Sequence, residues 1–222
     1  MDFQKLDWFY SENVSLGVIK LSDDESRHLK VKRHYSDEKI VVFDGKGTIG
    51  VGNIVDKNKI KIEKIEEVAD DSNLIVATAV PKGDRFDFLL QKLTELNVSE
   101  IILMKTKHSV VLPGENKIER MKRIVLEACK QSKRAFIPKI KELTNFDSVI
   151  KEKYENKIIL MHGEEKLTQK SGKTLILIGP EGGFTSEEIV LAEKEGFVKA
   201  SVGKNTLRIE TAAIAATAIL NN

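Results

Sequence analysis

Near residue 70 the hydrophobic pattern of the chain changes, and this change limits the folds that the chain can adopt. From residue 74 onward, short apolar runs alternate with amphipathic helical patterns. The first run, 74–80, is continuously apolar, which suits a strand buried on both faces. Strands that alternate with helices indicate an α/β fold with a mostly parallel sheet. We predict strands at 74–80, 101–104, 157–161, 175–178 and 197–202, and helices at 84–97, 117–134, 185–195 and 211–220.

The first 70 residues have a different pattern, with β-branched or alternating segments and one helical stretch. Ser22 is placed to cap a helix over 22–31, and Glu25 completes the signature of a capping box. Several short strands with few helices indicate a small β-barrel. The predicted strands are 14–21, 39–43, 48–55 and 59–68. A polar linker, Asp-Asp-Ser-Asn at 70–73, then divides the chain into predicted domains 1–70 and 73–222.

The composition is that of a globular protein. Hydrophobic residues make up 41% of the 222 residues, charged residues 32%, and the net charge is +2, which argues against intrinsic disorder. The apolar run 211–220 is too short to cross a bilayer, and the first residues do not resemble a secretory signal. Cys129 is the only cysteine, and the four histidines lack metal-binding spacing. We therefore expect a cytoplasmic protein without a membrane segment or a metal site.

The small net charge hides a local concentration of basic residues. Residues 117–141 contain nine Lys and Arg side chains against two glutamates, Glu119 and Glu127. A second basic cluster lies at 27–34. Such clusters attract polyanions, although a solvated helix face is an equally good explanation. Helical projection places four of these side chains opposite an apolar stripe of helix 117–134: Arg120, Arg123, Lys130 and Arg134.

The segment Ile-Gly-Pro-Glu-Gly-Gly-Phe at 178–184 is the most informative loop, because it leaves a predicted strand and enters a capped helix. Its glycines allow backbone to approach a ligand closely. The spacing matches neither the dinucleotide fingerprint nor the P-loop, and the Glu181 carboxylate would repel a pyrophosphate. The loop favours an adenosine-like ligand with a cationic or zwitterionic part, with a purely structural turn as the alternative.

Two further loops, 161–165 and 202–211, follow predicted strands in the same half of the chain. Arg208 and Glu210 in the second of these precede an apolar helix, where they either pair with each other or contact a substrate. His162 is a candidate general base, although a structural role is the more common one for a single histidine. Core packing is the expected role of Cys129.

Several segments together resemble the bacterial 16S ribosomal RNA uracil-N3 methyltransferase family, which belongs to the SPOUT superfamily. In chain order they are Pro-Lys-Gly-Asp-Arg at 81–85, Lys-Leu-Thr-Glu-Leu at 92–96, Gln-Ser-Lys-Arg at 131–134, Ile-Pro at 137–138, the loop at 178–184, and Leu-Arg-Ile-Glu-Thr-Ala at 207–212. The resemblance covers nearly the whole chain. The chain departs from the family pattern at three places. It has His108 where we expect an arginine, Lys130 where we expect an acidic residue, and Lys-Asn-Thr at 204–206 where a proline-containing stretch is more usual.

This resemblance implies a C-terminal SPOUT-type domain tied in a deep trefoil knot, an N-terminal PUA-like β-barrel and a homodimer. It also implies that S-adenosylmethionine binds in the knot between three loops. The implied cofactor-binding residues are Leu160, His162, Gly163, Ile178, Gly179, Glu181, Gly182, Gly183, Val202, Leu207, Arg208 and Thr211.

The implied substrate is 16S ribosomal RNA within the small ribosomal subunit, methylated at uridine N3. We expect Arg208 to stabilise negative charge on the uracil oxygens, and Glu210 or Glu181 either to accept the N3 proton or to orient the cofactor. A non-catalytic RNA-binding or ribosome-assembly protein is the alternative, and the acid in the glycine loop disfavours a nucleotide-phosphate enzyme. The predicted RNA contacts are Arg27, Lys32, Arg33, Lys82, Arg85, Arg120, Arg123, Lys130 and Arg134.

Overall fold

A computed structural model describes residues 3–32, 34, 36–111 and 117–221. The chain divides into two compact units. The first unit comprises Met1–Asp71 and Leu126–Ile137, and the second comprises Ser72–Val125 and Pro138–Asn222. A short segment from the C-terminal half therefore belongs to the first unit.

Within the described part of the chain, the first unit contains a five-stranded mixed sheet in the order β1-β3-β4-β5-β2. Strand β1 runs parallel to β3, and the other neighbours are antiparallel. The strands are Trp8–Tyr10 (β1), Gly17–Lys20 (β2), Lys39–Phe43 (β3), Thr48–Asp56 (β4) and Lys59–Glu67 (β5), with a 3-10 turn at Phe3–Lys5 and a helix at Asp23–Val31 (α1).

Alternation of side chains along these strands explains their burial. In β5 the isoleucines at 60 and 62 point into the core while the intervening lysine is exposed, as the period of a strand requires. Phe9, Ile40 and Val42 join the same hydrophobic cluster. The four strands expected from the sequence are present, and the first is shorter than predicted.

Helix α1 begins as expected, but its capping box is only half formed. The Ser22 hydroxyl accepts the Glu25 N–H at 3.2 Å. The Glu25 carboxylate turns away from the cap, accepting the Tyr10 N–H at 3.2 Å and bonding Lys130 Nζ at 2.7 Å. Glu25 therefore links α1 to β1 and to the 126–137 segment of its own unit.

The second unit contains, over the residues described, a six-stranded parallel sheet in the order β11-β9-β10-β6-β7-β8. The strands are Leu74–Thr78 (β6), Glu100–Lys105 (β7), Lys139–Asn145 (β8), Asn156–Leu160 (β9), Thr174–Ile178 (β10) and Val198–Ala200 (β11). The helices are Asp84–Glu95 (α2), Ile118–Ser132 (α3), Phe146–Val149 (α4), Ser186–Lys194 (α5) and Ile209–Leu220 (α6), and α3 continues into the first unit after Val125.

The parallel sheet confirms the α/β class expected from the sequence. Its central strands β6 and β10 are buried along their whole lengths, which accounts for their continuous apolar runs. Strand β8 was not predicted, because this edge strand is only half-buried and its two apolar residues, Ile140 and Leu143, lie three positions apart, which is not the alternation of a strand. Helix α5 has the predicted capping box between Thr185 and Glu188.

Helix α6 begins at Ile209, earlier than predicted, and buries one face. Ile209, Ala213 and Ala216 on that face are buried, and the helix packs on α2 and β6. The opposite face, with Ile214 and Ile219, is only partly covered within one chain. A search of the described residues found no helix that is long and apolar enough to span a membrane.

Candidate functional site

Three loops meet at one edge of the parallel sheet. They follow β9, β10 and β11, which are neighbours in the order β11-β9-β10, so their carboxyl ends lie side by side. The loops enclose a cavity of about 310 Å³. Its lining includes eight of the predicted cofactor-binding residues: Leu160, His162, Ile178, Gly179, Glu181, Gly183, Val202 and Leu207.

The remaining predicted cofactor residues lie outside this lining. Arg208 and Thr211 line a neighbouring depression, described below. Gly163 and Gly182 line neither space. The sequence analysis also missed cavity residues next to the motifs, including Met161, Phe184 and Asn205. The sequence offered one signal for these residues, which is that they are adjacent to motif residues. Adjacency alone does not show which neighbours face the cavity.

The glycine loop after β10 forms a tight turn that leads into α5. The Gly183 N–H donates to the Pro180 carbonyl at 2.8 Å, with Gly183 at a φ of 69°. A Cβ on Gly179 would lie 3.0 Å from the Phe184 ring, so a larger residue there would displace that ring. The turn thus depends on glycine at both positions.

The N-terminus of α5 is occupied by the chain itself. The Thr185 hydroxyl accepts the Glu188 N–H at 3.2 Å, and Glu188 Oε2 accepts the Thr185 N–H at 2.8 Å. Phosphates bind helix N-termini through free N–H groups. Since the cap engages these groups and Glu181 lines the cavity, the site is poorly suited to a polyphosphate.

Side chains hold the other loops in place. His162 Nε2 lies 2.8 Å from the Lys204 carbonyl, which joins the first loop to the third. His108 Nδ1 lies 3.1 Å from the carbonyls of both Gly182 and Gly183. A carbonyl only accepts hydrogen bonds, so each of these ring nitrogens carries its proton. His108 therefore tethers the glycine loop to the segment after β7.

A second, more open depression of about 610 Å³ adjoins the cavity and shares Thr206 and Leu207 with it. It lies between α2 and the start of α6. Arg208 is exposed at the N-cap of α6. Glu210 is only 6% exposed, and its Oε2 has no hydrogen-bond partner among the described residues. No ion pair between these two side chains occurs in the described structure.

The predicted RNA contacts differ in exposure and in their acidic neighbours. Arg123 and Lys82 are exposed. Three others are exposed or half-exposed near an acid: Arg27 beside Asp24, Lys32 beside Asp7, and Arg120 beside Asp87. Arg85 Nη1 lies 3.9 Å from Glu181 Oε1. Arg33 lies outside the described residues.

The expectation that helix 117–134 presents Lys130 and Arg134 to solvent is wrong. Their exposed fractions are 5% and 9%. Lys130 Nζ contacts Glu25 at 2.7 Å and Glu127 at 2.5 Å, so its charge is paired inside the first unit. Periodicity within the helix could not reveal Glu25, which lies 105 residues away in the chain.

The described residues contain no group of His, Cys, Asp and Glu side chains that could hold a metal ion.

Comparison with known protein families gives two matches. A model described as an RNA methyltransferase domain matches residues 69–221, and one described as an RNA methyltransferase PUA domain matches residues 21–67.

Curated relatives match most of the chain. It is 35% identical over 197 residues to ribosomal RNA small subunit methyltransferase E of Mesomycoplasma hyopneumoniae (strain 232), covering 84% of this chain and 86% of that protein. It is 32% identical over 227 residues to the protein of the same name from Aquifex aeolicus (strain VF5), covering 96% and 98%.

Solved structures resemble this chain over most of its length. The crystal structure of a ribosomal RNA small subunit methyltransferase E from Neisseria gonorrhoeae, bound to S-adenosylmethionine, has a TM-score of 0.88 at 30% identity and covers 96% of this chain and 95% of its own. A methyltransferase from Legionella pneumophila in complex with the same cofactor has a TM-score of 0.85 at 29% identity, covering 97% and 96%.

Proposed function

Because this chain belongs to the ribosomal RNA small subunit methyltransferase E family, we propose that it uses S-adenosylmethionine to methylate N3 of a uridine in 16S ribosomal RNA of the small ribosomal subunit. The observation that carries this proposal is the cavity between the loops after β9, β10 and β11. The solved relatives from Neisseria gonorrhoeae and Legionella pneumophila are bound to the same cofactor.

The residues of the cavity fit this methyl donor. Leu160, Ile178 and Leu207 offer apolar contacts for the faces of an adenine, and the glycine loop supplies backbone groups that can bond its edge. Among the described residues the lining contains Glu181 but neither Lys nor Arg. An acidic and otherwise uncharged lining favours a cation over a phosphate. When bound, S-adenosylmethionine supplies an electrophilic methyl group on a positively charged sulfur.

The acceptor atom sets the tasks of the protein side chains. Uracil N3 carries a proton and becomes a good nucleophile only after losing it. We assign Glu210 to accept this proton and Arg208 to stabilise the negative charge that spreads onto the uracil oxygens. Both residues line the depression beside the cavity, which supports this assignment.

The position of Arg208 also supports a catalytic role. It is the N-cap residue of α6, yet its side chain makes no capping hydrogen bond. Ser, Thr, Asp and Asn stabilise this position, and a positive charge there opposes the helix dipole. Since capping does not explain an arginine at this position, we assign its side chain to substrate binding or catalysis.

We further propose that residues 1–70 form a PUA-like β-barrel domain that binds RNA and residues 73–222 form a knotted SPOUT methyltransferase domain. The family models over 21–67 and 69–221 support this division. The proposed RNA contacts are Arg27, Lys32, Arg33, Lys82, Arg85, Arg120 and Arg123. We remove Lys130 and Arg134 from this set because they are buried.

We also propose that the protein is a homodimer in the cytoplasm. The partly covered apolar face of α6, with Ile214 and Ile219, supports a second subunit as its partner. Burial of such a face stabilises a dimer by removing apolar surface from water.

The experiment measures methyl incorporation into purified small subunits that lack the modification. We expect Arg208→Ala and Glu210→Gln each to reduce turnover by about 100-fold, as loss of a group that stabilises transition-state charge does. Lys153→Ala, at an exposed position away from the site, is the control and should retain full turnover. Calorimetry should give unchanged S-adenosylmethionine affinity for Glu210→Gln. Undiminished turnover of either site variant would remove that residue from the mechanism.

The alternative is a non-catalytic RNA-binding or assembly protein with the same fold. Such a protein would give no heat of binding with S-adenosylmethionine, so calorimetry on the unmodified chain separates the two functions.

A further inference from the structure

The depression between α2 and the start of α6 has a composition that differs from that of the cofactor cavity. It contains two guanidinium groups, Arg85 and Arg208, the carboxyl group of Glu210 and the aromatic ring of Phe88. Asp84 also lies on its rim, exposed at the first residue of α2. Since the depression and the cavity share Thr206 and Leu207, a molecule in one lies next to a molecule in the other.

The ring of Phe88 is unusually accessible for a phenylalanine on an amphipathic helix. It is 46% exposed, whereas Phe86, two residues earlier, is buried. Lys92 Nζ lies 5.6 Å from the centre of the Phe88 ring and is itself bonded to Glu95. An exposed aromatic face beside cationic groups is the arrangement on which proteins stack unpaired nucleic-acid bases.

Glu210 supplies the second observation. Its side chain is more than nine-tenths buried, and Oε2 has no hydrogen-bond partner in the described structure. A buried carboxylate oxygen without a donor costs free energy, which a ligand N–H can recover. Glu210 is one of the residues that line the depression, so its carboxyl group borders the space that a ligand would fill.

We propose that this depression, the base pocket, holds the target base and selects uracil over cytosine. Phe88 stacks on the base, Glu210 accepts its imide N–H, and Arg85 and Arg208 donate to its two carbonyl oxygens. The inference rests on the proposed function and adds to it the residues that recognise the base.

Hydrogen-bond chemistry explains the selectivity. The pairing edge of uracil presents an acceptor, a donor and an acceptor, namely O4, N3–H and O2. The base pocket offers the complement, because each arginine only donates and the carboxylate only accepts. Cytosine presents a donor, an acceptor and an acceptor, so its N3 lone pair would face the Glu210 carboxylate. A site built for one hydrogen-bond pattern rejects a base that leaves its buried groups unpaired.

The test measures equilibrium binding of fluorescent decauridylate and decacytidylate to the full chain without cofactor. We expect the unmodified protein to bind decauridylate about tenfold more tightly, the discrimination that one well-placed pair of hydrogen bonds provides. Glu210→Gln should lose most of this preference, because the amide can donate to cytosine N3. Equal affinity of the unmodified protein for the two RNAs would contradict the proposal that the base pocket selects uracil.

Variants of Phe88 test the stacking role. Phe88→Ala should lower the affinity for both RNAs about equally, by roughly tenfold, because one stacking contact is lost. Phe88→Trp should restore binding. The control is Val190→Ala, which truncates an exposed apolar side chain on α5 and should change neither affinity. If Phe88→Ala and Val190→Ala behave alike, Phe88 does not stack on the base.

Calorimetry with S-adenosylmethionine separates this inference from the proposed function. Absence of cofactor binding by the unmodified chain would contradict the proposed function, whatever the RNA affinities are. Cofactor binding without any preference for uridine would contradict only the base pocket. If Glu210→Gln keeps the uridine preference but changes the molar mass in sedimentation, the depression contacts a second copy of the chain, and the inference fails.

Discussion

Both units of the molecule contain almost completely buried glutamates, and two of them, one from each unit, differ in how their oxygens are paired. Glu25 in the first unit is 5% exposed, and its two oxygens bond Lys130 Nζ at 2.7 Å and the Tyr10 N–H at 3.2 Å. Glu210 in the second unit is 6% exposed, and one of its oxygens has no partner among the described residues. The difference teaches that a fully paired buried charge supports the fold, whereas an incompletely paired one is available to a ligand.

The charged side chains around Glu25 and Glu210 differ in the same way as the two glutamates do. Lys130 also contacts Glu127 at 2.5 Å, so the charges around Glu25 are balanced within the chain. Around Glu210 the neighbouring charges are those of Arg85, Arg208 and Asp84, which are exposed or half-exposed and line an open depression. We therefore expect substitutions in the first cluster to act on stability and substitutions in the second to act on RNA binding and turnover.

The largest expected effect on folding comes from removing the cation that pairs with Glu25. Lys130→Ala should lower the free energy of unfolding by about 3–5 kcal/mol, because it leaves a buried carboxylate uncompensated. Glu210→Gln should change the same quantity by less than about 1 kcal/mol, because no partner within the chain loses a charge. Chemical denaturation of the full chain measures the free energy of unfolding of both variants. Similar decreases for the two would contradict the proposed difference between Glu25 and Glu210.

We expect a smaller effect, on cofactor affinity, from removing the His108 side chain that restrains the glycine loop. His108→Ala should weaken S-adenosylmethionine binding about fivefold, the usual worth of a single hydrogen bond, since Nδ1 no longer restrains the glycine loop. The free energy of unfolding should hardly change, because His108 is exposed. Calorimetry provides the measurement, and His108→Asn, which keeps a donor, should recover part of the affinity. Unchanged affinity of the alanine variant would show that the tether is dispensable.

The pH dependence of stability should come in part from the paired cluster. Burial, followed by the positive charge of Lys130, lowers the pKa of His28 from its usual 6.5. The unfolded chain therefore binds a proton at this residue before the folded chain does, and stability falls as the pH drops below about 6.5. Equilibrium unfolding between pH 7.5 and pH 5 should show a shallower decline for His28→Gln. An identical decline would mean that other groups account for it.

The smallest expected effect concerns the only thiol. Burial raises the pKa of Cys129 to about 12, so almost no thiolate exists near neutral pH. A disulfide reagent at pH 8 should leave the native protein unmodified and react fully once denaturant is added, and Cys129→Ala is the blank. Rapid reaction of the native protein would mean that the 126–137 segment opens readily.

Local patterns in the sequence predicted those elements whose burial is uniform. The continuous apolar run at 74–80 identified β6, and the capping signature at Thr185 and Glu188 identified the start of α5. The edge strand β8 was missed because its half-buried residues leave no clear period. The short helix α4 was missed because four residues are too few to display helical periodicity.

The site was predictable in part for the same reason. The glycine loop at 178–184 and the pair Arg208 and Glu210 are local motifs, and they line two adjoining spaces. Phe88 was missed because its exposure depends on how α2 packs against α6, which no local pattern contains. Lys130 was misjudged because its partner Glu25 is distant in sequence.

In the proposed function, the three-loop cavity presents a methyl donor to a uridine of the small ribosomal subunit. The most direct test incubates the protein and isotopically labelled S-adenosylmethionine with subunits that lack the modification, then digests their 16S RNA to nucleosides for mass spectrometry. We expect labelled 3-methyluridine with the unmodified protein and almost none with Arg208→Ala. Labelled 16S RNA in which the methyl group lies on any other nucleoside, or RNA that remains unlabelled, would contradict it.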